Sequence, residues 1–401
     1  MLDIAVIGGG ASGLVAAITA AKHGANVAVF ESSDRVGSKI LATGNGRCNL
    51  TNMQLSAADY NAPEFVAPAL GEWTPAAVRD WFAAIGLLTV EERQGRVYPL
   101  SNSSHSVVDV LRAAACRAGV RIETEHCCAG IRRVDSAFEL RFSSVGGEDV
   151  AAVPRPVAAR KVIVACGGGS TLLQSCGHAL VPPSPVLCAL ATNTAPIRGL
   201  SGVRAQVELA LLPTGTADAA SEATQPAFRE RGEALFRDYG VSGIVVFNAS
   251  RFAQPGQRLQ LNFMPGKTQT QVQDLLAVRA EWAGSYQELL CGVFHPQLNR
   301  AIARAAGCKL SLLPDARGIA RLAQQITAFS LSVEGPANTK AAQLTRGGAA
   351  TSELNPKTLQ SRLAPGLYAA GECMDVDGPC GGYNLHWAWA SGLVAGRSAC
   401  E

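Results

Sequence analysis

The sequence predicts an α/β protein whose alternating strands and helices are followed by a barrel-like β region and a small helical region. Its opening residues combine an apolar strand, a glycine-rich turn and a helix with an apolar face. Near residue 189 this alternation gives way to short strands separated by turn residues. The end of the chain returns to a strand that finishes in a glycine and an acid, followed by a last helix.

The opening residues are typical of a dinucleotide-binding turn. Residues 3–7 form the strand, after which Gly8 permits a tight turn and Gly10 lets the backbone approach a pyrophosphate. Gly13 allows the next helix to pack closely on the sheet. A glycine pattern alone also occurs in purely structural turns. Here the strand, helix, second strand and acid follow in order, so we interpret the turn as a nucleotide site.

An acidic residue completes this unit. Gly24 ends the first helix, and residues 26–30 are predicted to form the second strand. Glu31 follows that strand directly, where a carboxylate is expected to bind the two ribose hydroxyls of a nucleotide. An acid at this position disfavours a 2′-phosphate.

Composition limits the classes of protein that remain. A chain of 401 residues with 48% apolar and 17% charged residues predicts a compact globular protein of one large or two to three ordinary domains. The net charge is +3, and the basic stretches at 132–133 and 155–161 lack interleaved aromatic residues, so no nucleic-acid partner is expected. Without a predicted signal peptide or membrane-spanning run, we expect a cytoplasmic protein that does not contact a membrane.

The cysteines indicate neither a metal site nor a dithiol relay. The 12 cysteines are scattered and contain no CxxC pair, so most are expected to be reduced, buried thiols. Cys48 stands alone where related disulfide reductases carry a CxxxxC pair, and an unreactive packed thiol is the favoured interpretation over a thiol of lowered pKa. A disulfide between Cys373 and Cys380 under oxidising conditions is the alternative to two reduced thiols.

Periodicity predicts the remaining elements. Helices are predicted over residues 73–85, 106–118, 269–282, 297–306, 318–328 and 384–397. Strands are predicted over residues 120–123, 131–142, 161–165, 203–209, 329–333 and 341–345, with a polar loop over 213–226. The turn at 166–169 resembles a second nucleotide turn but lacks its third glycine. We expect it to pass beside the first cofactor.

The end of the chain favours FAD over a nicotinamide cofactor alone. A single-domain nicotinamide dehydrogenase has no need for the returning strand that ends in Gly371 and Glu372, whereas flavoproteins of the two-dinucleotide-binding fold use such a return. The turn at residues 381–384 would place free N–H groups and the positive end of a helix dipole near the flavin pyrimidine edge. An ordinary glycine-rich helix entry is the alternative.

Three motifs carry a resemblance to a known family. Residues 39–52, 232–243 and 366–389 resemble the BaiN/YhiN-type FAD-binding oxidoreductases, also called aminoacetone oxidase-like enzymes. The resemblance runs from end to end and implies a Rossmann-like two-dinucleotide-binding flavoprotein fold, split by an inserted β-barrel-like domain and a small helical domain. It implies an FAD-binding domain over 1–188 and 354–401, a barrel-like domain over 189–266 and 329–353, and a helical domain over 267–328.

The resemblance also implies a set of FAD-binding residues. For the ADP half these are Gly8, Gly10, Ala11, Ser12, Gly13, Glu31 and Ser32, with a backbone contact to adenine at Cys128. Along the cofactor they are Lys39, Arg47, Asn49, Gly371 and Glu372, and around the ring they are Gly382, Tyr383, Asn384 and Leu385. The family usually carries a longer segment between Ser170 and Gly177, which leaves the substrate open.

The favoured activity is reduction of an electron-poor C=C bond conjugated to a carbonyl, on a small 3-oxo bile-acid or steroid-like substrate. NADH or NADPH would be a transient electron donor. The alternatives are a flavin amine oxidase acting on a small aminoketone with O2, and a flavin-dependent RNA-modifying protein. No catalytic residue is assigned, because structural roles are favoured for His105, His178 and His386, and Tyr98 and Tyr383 are equally weak candidates. The oligomeric state stays open.

Overall fold

A computed structural model describes residues 1–143, 155–214 and 225–401, and these divide into two compact units. The first comprises Met1–Ser184 with Leu344–Glu401 and is called the sheet unit below. The second comprises Pro185–Gln343 and is called the barrel unit. The separate helical domain that the resemblance implies stays a prediction, and most of the predicted polar loop over 213–226 lies outside the described residues.

The chain first builds most of the sheet unit. Its elements are β1 (Leu2–Ile7), α1 (Ala11–Lys22), β2 (Val27–Phe30), α2 (Ser38–Ala42), β3 (Thr51–Asn52), α3 (Pro63–Glu72), α4 (Pro75–Ile85), β4 (Thr89–Glu91), β5 (Arg96–Pro99), α5 (Ser104–Arg117), β6 (Arg121–Glu123), β7 (Cys127–Val134), β8 (Ala137–Ser143), β9 (Val157–Val164) and β10 (Leu180–Val186).

The barrel unit follows, and the chain then returns. The barrel unit contains β11 (Ala189–Thr192), β12 (Arg204–Leu212), β13 (Phe228–Arg237), β14 (Gly240–Ser242), α6 (Ile244–Ser250), β15 (Arg258–Asn262), α7 (Gln269–Ala280), α8 (Tyr286–Leu290), α9 (Pro296–Ala305), α10 (Ala316–Thr327) and β16 (Phe329–Ala337). The returning chain adds β17 (Leu344–Ala349), β18 (Leu367–Ala369) and α11 (Tyr383–Ser398).

A mainly parallel sheet forms the centre of the sheet unit. Its strands run in the order β6, β2, β1, β9, β8, β7, with β18 parallel to the end of β9. Strand β1 is almost wholly buried, and it pairs in parallel with β2 on one side and β9 on the other. Strands β3, β5 and β4 form a separate antiparallel sheet. The predicted α/β class with a Rossmann-like sheet is therefore confirmed.

The barrel unit has its own apolar core. Strands β11, β14, β13, β12, β15 and β16 form a closed antiparallel barrel, since β16 pairs again with β11. The helices of this unit contribute completely buried side chains such as Leu276, Leu289 and Leu322. The predicted barrel is therefore present. No helix in the described ranges combines the length and apolarity needed to cross a membrane.

Two strand predictions were wrong in detail. Residues 131–142 form parts of two strands, because the chain reverses at Asp135, whose φ of 51° no strand tolerates. The strand predicted over 341–345 begins only at Leu344, since Thr339–Ala341 is a short 3-10 turn. The short α3 and the β3, β5, β4 sheet were not predicted, because neither has a long periodic pattern.

The first and last helices of the chain pack at unusually close range. Gly392 and Gly396 of α11 face the backbone of α1, and a methyl group on either would lie 2.5 Å from Ser12 O or 2.4 Å from Ala16 O. Real carbon atoms do not approach so closely, so only glycine allows this helix separation. The contact couples the opening turn to the returning part of the chain.

We therefore expect Gly396→Ala to lower the free energy of unfolding by about 1–3 kcal/mol, because the added methyl group overpacks the contact between α1 and α11. Urea denaturation followed by circular dichroism measures this change. Gly71→Ala is the matched control, since no atom lies within 4 Å of the position where its methyl group would be added. That helical substitution should be neutral or stabilising by up to about 1 kcal/mol. Equal stability of the Gly396→Ala and wild-type proteins would contradict the close packing.

Candidate cofactor and active site

The opening turn is held by two glycines that admit no side chain. Gly8 has a φ of +104°, and a methyl group there would lie 2.5 Å from Ala165 O on the turn after β9. A methyl group on Gly13 would lie 1.9 Å from Gly8 O. The sequence interpretation of Gly8 as a turn residue and Gly13 as a packing residue thus has a direct steric cause.

Gly10 faces open space instead. It is the N-cap of α1, no side chain caps the helix, and no atom lies within 4 Å of the position that a methyl group would occupy. The N–H groups of the first helical turn, at Ala11, Ser12 and Gly13, have no acceptor within the helix. They carry the positive end of the helix dipole into that space. This cradle fits the pyrophosphate of a dinucleotide.

The carboxylate of Glu31 is fixed beside the same turn. Glu31 Oε2 accepts a hydrogen bond of 2.7 Å from the N–H of Gly9. Its Oε1 accepts hydrogen bonds from Ser32 Oγ and from both the N–H and Oγ of Ser33. These donors orient the carboxylate without burying it. Because Oε2 accepts only the bond from Gly9 among the described residues, it retains an acceptor position for a ligand hydroxyl.

The returning chain meets the opening turn at Gly371. Ser12 Oγ donates to Ala370 O at 3.3 Å, and a methyl group on Gly371 would lie 2.5 Å from Ser12 Oγ. The N–H of Gly371 donates to Ser391 Oγ of α11 at 2.9 Å. Residues from the two ends of the chain are therefore in contact, as the predicted flavoprotein return requires.

An ion pair forms a second link between the two ends. Lys39 Nζ lies 2.5 Å from Glu372 Oε2. The other carboxylate oxygen of Glu372 accepts a 2.8 Å hydrogen bond from the N–H of Thr345 in β17. Glu372 is largely buried while Lys39 is mostly exposed, so the acid is the fixed partner and the lysine the adaptable one.

The beginning of α11 has an unused polar group beside it. Gly382, the N-cap, has a φ of +105°, and a methyl group there would lie 2.6 Å from Thr51 O and 2.9 Å from Asn49 Oδ1. Asn49 is 8% exposed, and its buried Oδ1 has no hydrogen-bond partner among the described residues. A buried orphan acceptor beside uncapped helix N–H groups fits a ring that offers both donors and acceptors.

The chain before α11 is held in a fixed turn. Asn384 Oδ1 accepts from the N–H of Gly378 at 2.8 Å, and its Nδ2 donates to Gly378 O at 2.9 Å. The hydroxyl of Tyr60 donates to the carbonyl of Tyr383 at 2.8 Å. Residues 381–385 are partly exposed, whereas almost all later residues of α11 are buried. Only the first turn of this helix is therefore open to a ligand.

Two predicted ligands have other partners in the structure. The guanidinium of Arg47 lies 3.9 Å from the Tyr98 ring centroid and pairs with Glu92 and Asn102. The Sγ of Cys128 donates to the carbonyl of Gly130, two residues further on, at 3.6 Å, and burial raises the pKa of this thiol to about 11. This side-chain bond leaves the predicted contact of the Cys128 backbone with adenine untested. Contacts of Arg47 and Cys128 with the cofactor stay predictions.

The two buried histidines have structural partners. His386 Nδ1 accepts a 2.8 Å hydrogen bond from Thr51 Oγ1, and its Nε2 donates to Trp73 O at 2.9 Å. Burial lowers the pKa of His386 to about 4, so the ring is neutral near pH 7. His178 is enclosed by Glu353 at 3.0 Å and Ser361 at 2.8 Å. These contacts agree with the structural roles favoured from the sequence.

The thiol of Cys48 is equally inaccessible. The residue is completely buried, and the resulting desolvation raises the pKa of its thiol to about 12. A thiolate is therefore disfavoured at neutral pH, in agreement with an unreactive packed cysteine. No disulfide joins Cys373 to Cys380 in the structure.

Sequence reasoning missed two side chains beside the start of α11. A methyl group on Gly381 would lie 3.7 Å from Asn52 Nδ2 and 3.8 Å from Arg96 Nε. Asn52 ends one of the motifs that carry the family resemblance, so it had a signal. Arg96 lies at the start of β5, in a strand too short for its periodicity to reveal it.

The chain is similar over its full length to proteins of one family. The chain matches the family described as "HI0933-like protein Rossmann domain" over residues 2–398. It is 35% identical to the 3-dehydro-bile acid delta(4,6)-reductase of Clostridium scindens, with all of both chains covered. It is 26% identical to the ribosomal RNA dihydrouridine synthase of Escherichia coli, with 99% of both chains covered.

Among solved structures, the 3-ketosteroid-delta4-(5alpha)-dehydrogenase of Rhodococcus jostii is 15% identical with a TM-score of 0.46, over 100% of this chain and 97% of that one. The chain is a flavin-dependent oxidoreductase with a nucleotide-binding Rossmann domain. It belongs to the HI0933-like family, which confirms the family predicted from the three motifs.

The buried His386 makes stability depend on pH. The unfolded chain protonates this histidine below about pH 6.5, whereas the folded protein keeps it neutral down to about pH 4. Its contribution to stability is therefore complete above about pH 6.5 and is lost as the pH falls towards 4, by roughly 3 kcal/mol. We expect His386→Gln to lose less stability than wild type over this window. Urea midpoints at saturating FAD measure the difference.

His105→Gln is the control for this measurement, because it makes the same substitution at an exposed histidine. Its stability should follow the pH in parallel with wild type. A wild-type curve that is no steeper than that of His386→Gln would show that His386 is not buried in its neutral form.

A substitution at Gly10 tests FAD binding without disturbing the fold. Its φ of −80° suits any residue and its methyl position is empty, so Gly10→Ala should leave the stability of the FAD-free protein within about 0.5 kcal/mol of wild type. The methyl group would occupy the pyrophosphate space, and FAD affinity should fall by about tenfold or more. Titration of the flavin-free protein with FAD measures this. Undiminished affinity would place the pyrophosphate elsewhere.

Proposed function

We propose that this enzyme uses FAD, reduced by NADH or NADPH, to reduce a C=C bond conjugated to a carbonyl in a 3-oxo bile-acid or steroid-like substrate. The full-length identity of 35% to the 3-dehydro-bile acid delta(4,6)-reductase carries this proposal. A 3-oxo group conjugated with double bonds at positions 4 and 6 is an electron-poor dienone. Bound reduced FAD supplies a hydride for such a bond.

The chain's own residues would bind and orient the cofactor. The proposed FAD ligands are Gly8, Gly10, Ala11, Ser12, Gly13, Glu31, Ser32, Lys39, Arg47, Asn49, Cys128, Gly371, Glu372, Gly382, Tyr383, Asn384 and Leu385. The open cradle at Gly10 supports the pyrophosphate site, and the unpartnered Asn49 Oδ1 supports the ring site. Helix N–H groups at both places would stabilise negative charge on the cofactor.

The nicotinamide nucleotide is proposed as a visiting donor. The turn at residues 166–169 resembles a second nucleotide turn but lacks its third glycine. A methyl group on its Gly168 would lie 2.6 Å from Thr345 Cβ and 2.9 Å from Glu372 Oε1, so the returning chain packs against this turn. This packing gives no support for a second, permanently bound dinucleotide at that turn. The cytoplasmic location expected from the sequence also stays a prediction.

The relative from Escherichia coli supports a second candidate substrate, a uracil base in RNA. Dihydrouridine is uridine whose C5=C6 bond, conjugated to a carbonyl, has gained two hydrogen atoms. This reaction has the same bond change as the dienone reduction. The identity is lower, at 26%, so the steroid-like substrate is preferred.

An anaerobic stopped-flow experiment tests the proposal in two half-reactions. NADH or NADPH should bleach the oxidised flavin spectrum, and a 3-oxo-4,6-diene or 3-oxo-4-ene steroid acid should then restore it. Separate arms use uridine-containing RNA and O2, with aminoacetone as the reductant in the oxygen arm. Restoration by the steroid within seconds supports the proposal. Reoxidation by RNA alone would support the second candidate, and turnover only with aminoacetone and O2 would make the enzyme an amine oxidase.

A further inference from the structure

A cationic side chain, a carboxamide and an aromatic edge converge beside the start of α11. A methyl group placed on Gly381 would lie 3.7 Å from Asn52 Nδ2, 3.8 Å from Arg96 Nε and 3.8 Å from Tyr383 Cε2. Gly381 precedes the N-cap of α11, and the ring of FAD is proposed to lie at residues 382–385. This point therefore borders the proposed site of the flavin ring.

The carboxamide at this point, that of Asn52, is already hydrogen-bonded within the protein. Asn52 Nδ2 donates one hydrogen bond to Gln94 O and another to Gly381 O, both of 3.1 Å. Its Oδ1 accepts from the N–H of Gln54 at 2.9 Å. A primary amide has two N–H donors, so Asn52 has none left for a ligand. Its role is to fix the turn before β5 against Gly381.

The turn that presents Arg96 is rigid. Gln94 and Gly95 have φ values of 61° and 71°, and a methyl group on Gly95 would lie 2.7 Å from Asn52 Oδ1. The N–H of Glu92 donates to Arg96 O at 2.7 Å and closes the turn. Arg96 is therefore held at its backbone while its side chain extends toward Gly381.

The guanidinium of Arg96 has no carboxylate partner among the described residues. The nearby acid Glu92 pairs with Arg47 instead. Arg96 is partly buried, and it lines an open pocket of about 510 Å³ together with Glu92, Arg93 and Gln94. A partly desolvated guanidinium retains up to five donors in a planar fork. Oxygen atoms of a ligand are the acceptors that suit it.

We propose that Arg96 is a catalytic residue that binds the carbonyl oxygen of the substrate, an inference that rests on the proposed function. Addition of a hydride to the β-carbon of the conjugated C=C bond moves the π-electron pair through the α-carbon onto that oxygen and forms an enolate. A proton from solvent then binds the α-carbon, and the C=O bond is restored. The hydride comes ultimately from NADH or NADPH, which is oxidised as the substrate is reduced.

The positive charge of Arg96 stabilises the substrate oxygen most strongly while that oxygen is the negatively charged enolate oxygen. A carbonyl oxygen carries a partial charge, whereas the enolate oxygen carries most of a full one, so the guanidinium binds the later species more tightly. Removal of one preorganised donor to such an oxyanion typically costs about 10²–10³ in rate. The electron transfer from NADPH to flavin forms no enolate and should not need Arg96.

Rapid kinetics of the holoenzyme separate these two half-reactions. Arg96→Gln should retain FAD, be reduced by NADPH within about twofold of the wild-type rate, and be reoxidised by the enone about 10²–10³ more slowly. Arg96→Lys keeps the charge and should retain an intermediate rate. Added guanidinium chloride should partly rescue Arg96→Gln. Arg112→Gln is the control, because it removes the same charge from an exposed position on α5.

Binding of a phenolic steroid supplies a readout that needs no turnover. Equilenin carries its hydroxyl where a 3-oxo steroid carries its carbonyl, and its ionised form has a distinct absorption and emission spectrum. Oxidised wild-type holoenzyme should bind it as the phenolate at a pH where free equilenin is neutral. Arg96→Gln should bind it at least tenfold more weakly or only in the neutral form, while Arg112→Gln should match wild type.

The outcomes distinguish this inference from the function on which it rests. Unchanged reoxidation and unchanged phenolate binding in Arg96→Gln would overturn the role of Arg96. Loss of FAD from this variant would make Arg96 a cofactor ligand and would also overturn it. If wild-type enzyme reduces no enone, the proposed function fails, and phenolate binding alone then decides whether Arg96 is an oxyanion site.

Discussion

Backbone atoms of α1 and α11 approach each other so closely that one methyl group would separate them, and this contact sets the geometry of the sheet unit. Gly392 and Gly396 face Ser12 and Ala16 across it. The first of these helices begins at the glycine-rich turn and the second begins at Gly382. A close, glycine-dependent contact therefore fixes two uncapped helix N-termini relative to each other, although they lie at opposite ends of the sequence.

The polar groups around these termini follow from that arrangement. Ser12 can touch Gly371, and Lys39 can pair with Glu372, only because the returning chain lies on the opening turn. Two places at these termini have no protein partner among the described residues. They are the open space at Gly10 and the buried Oδ1 of Asn49. Backbone N–H groups supply most of the proposed cofactor contacts. The proposed substrate side differs, since it depends on a side chain, that of Arg96, which lies beside Gly381.

The local parts of this site were predictable, whereas its long-range parts were not. Gly8 and Gly13 were assigned correctly because a strand, a turn and a helix within a short stretch define their roles. The buried state of His386 and the pairing of Lys39 with Glu372 depend on segments more than 300 positions apart, which no local pattern specifies. Arg96 was missed because β5 is too short for a periodic pattern, and because its side chain approaches Gly381, which lies far along the chain. The family resemblance supplied the proposed ring-binding residues, which periodicity could not indicate.

A structure of the holoenzyme with FAD tests the central claim most directly, namely that the contact between α1 and α11 positions two helix N-termini for one cofactor. The account predicts phosphate oxygens within about 3 Å of the N–H groups of Ala11 and Ser12, at hydrogen-bond distance. It also predicts the pyrimidine edge of the ring at the N–H groups of Tyr383 to Leu385, with Asn49 Oδ1 accepting a hydrogen bond. A ring bound away from the start of α11, with that helix end and Asn49 left unsatisfied, would contradict it.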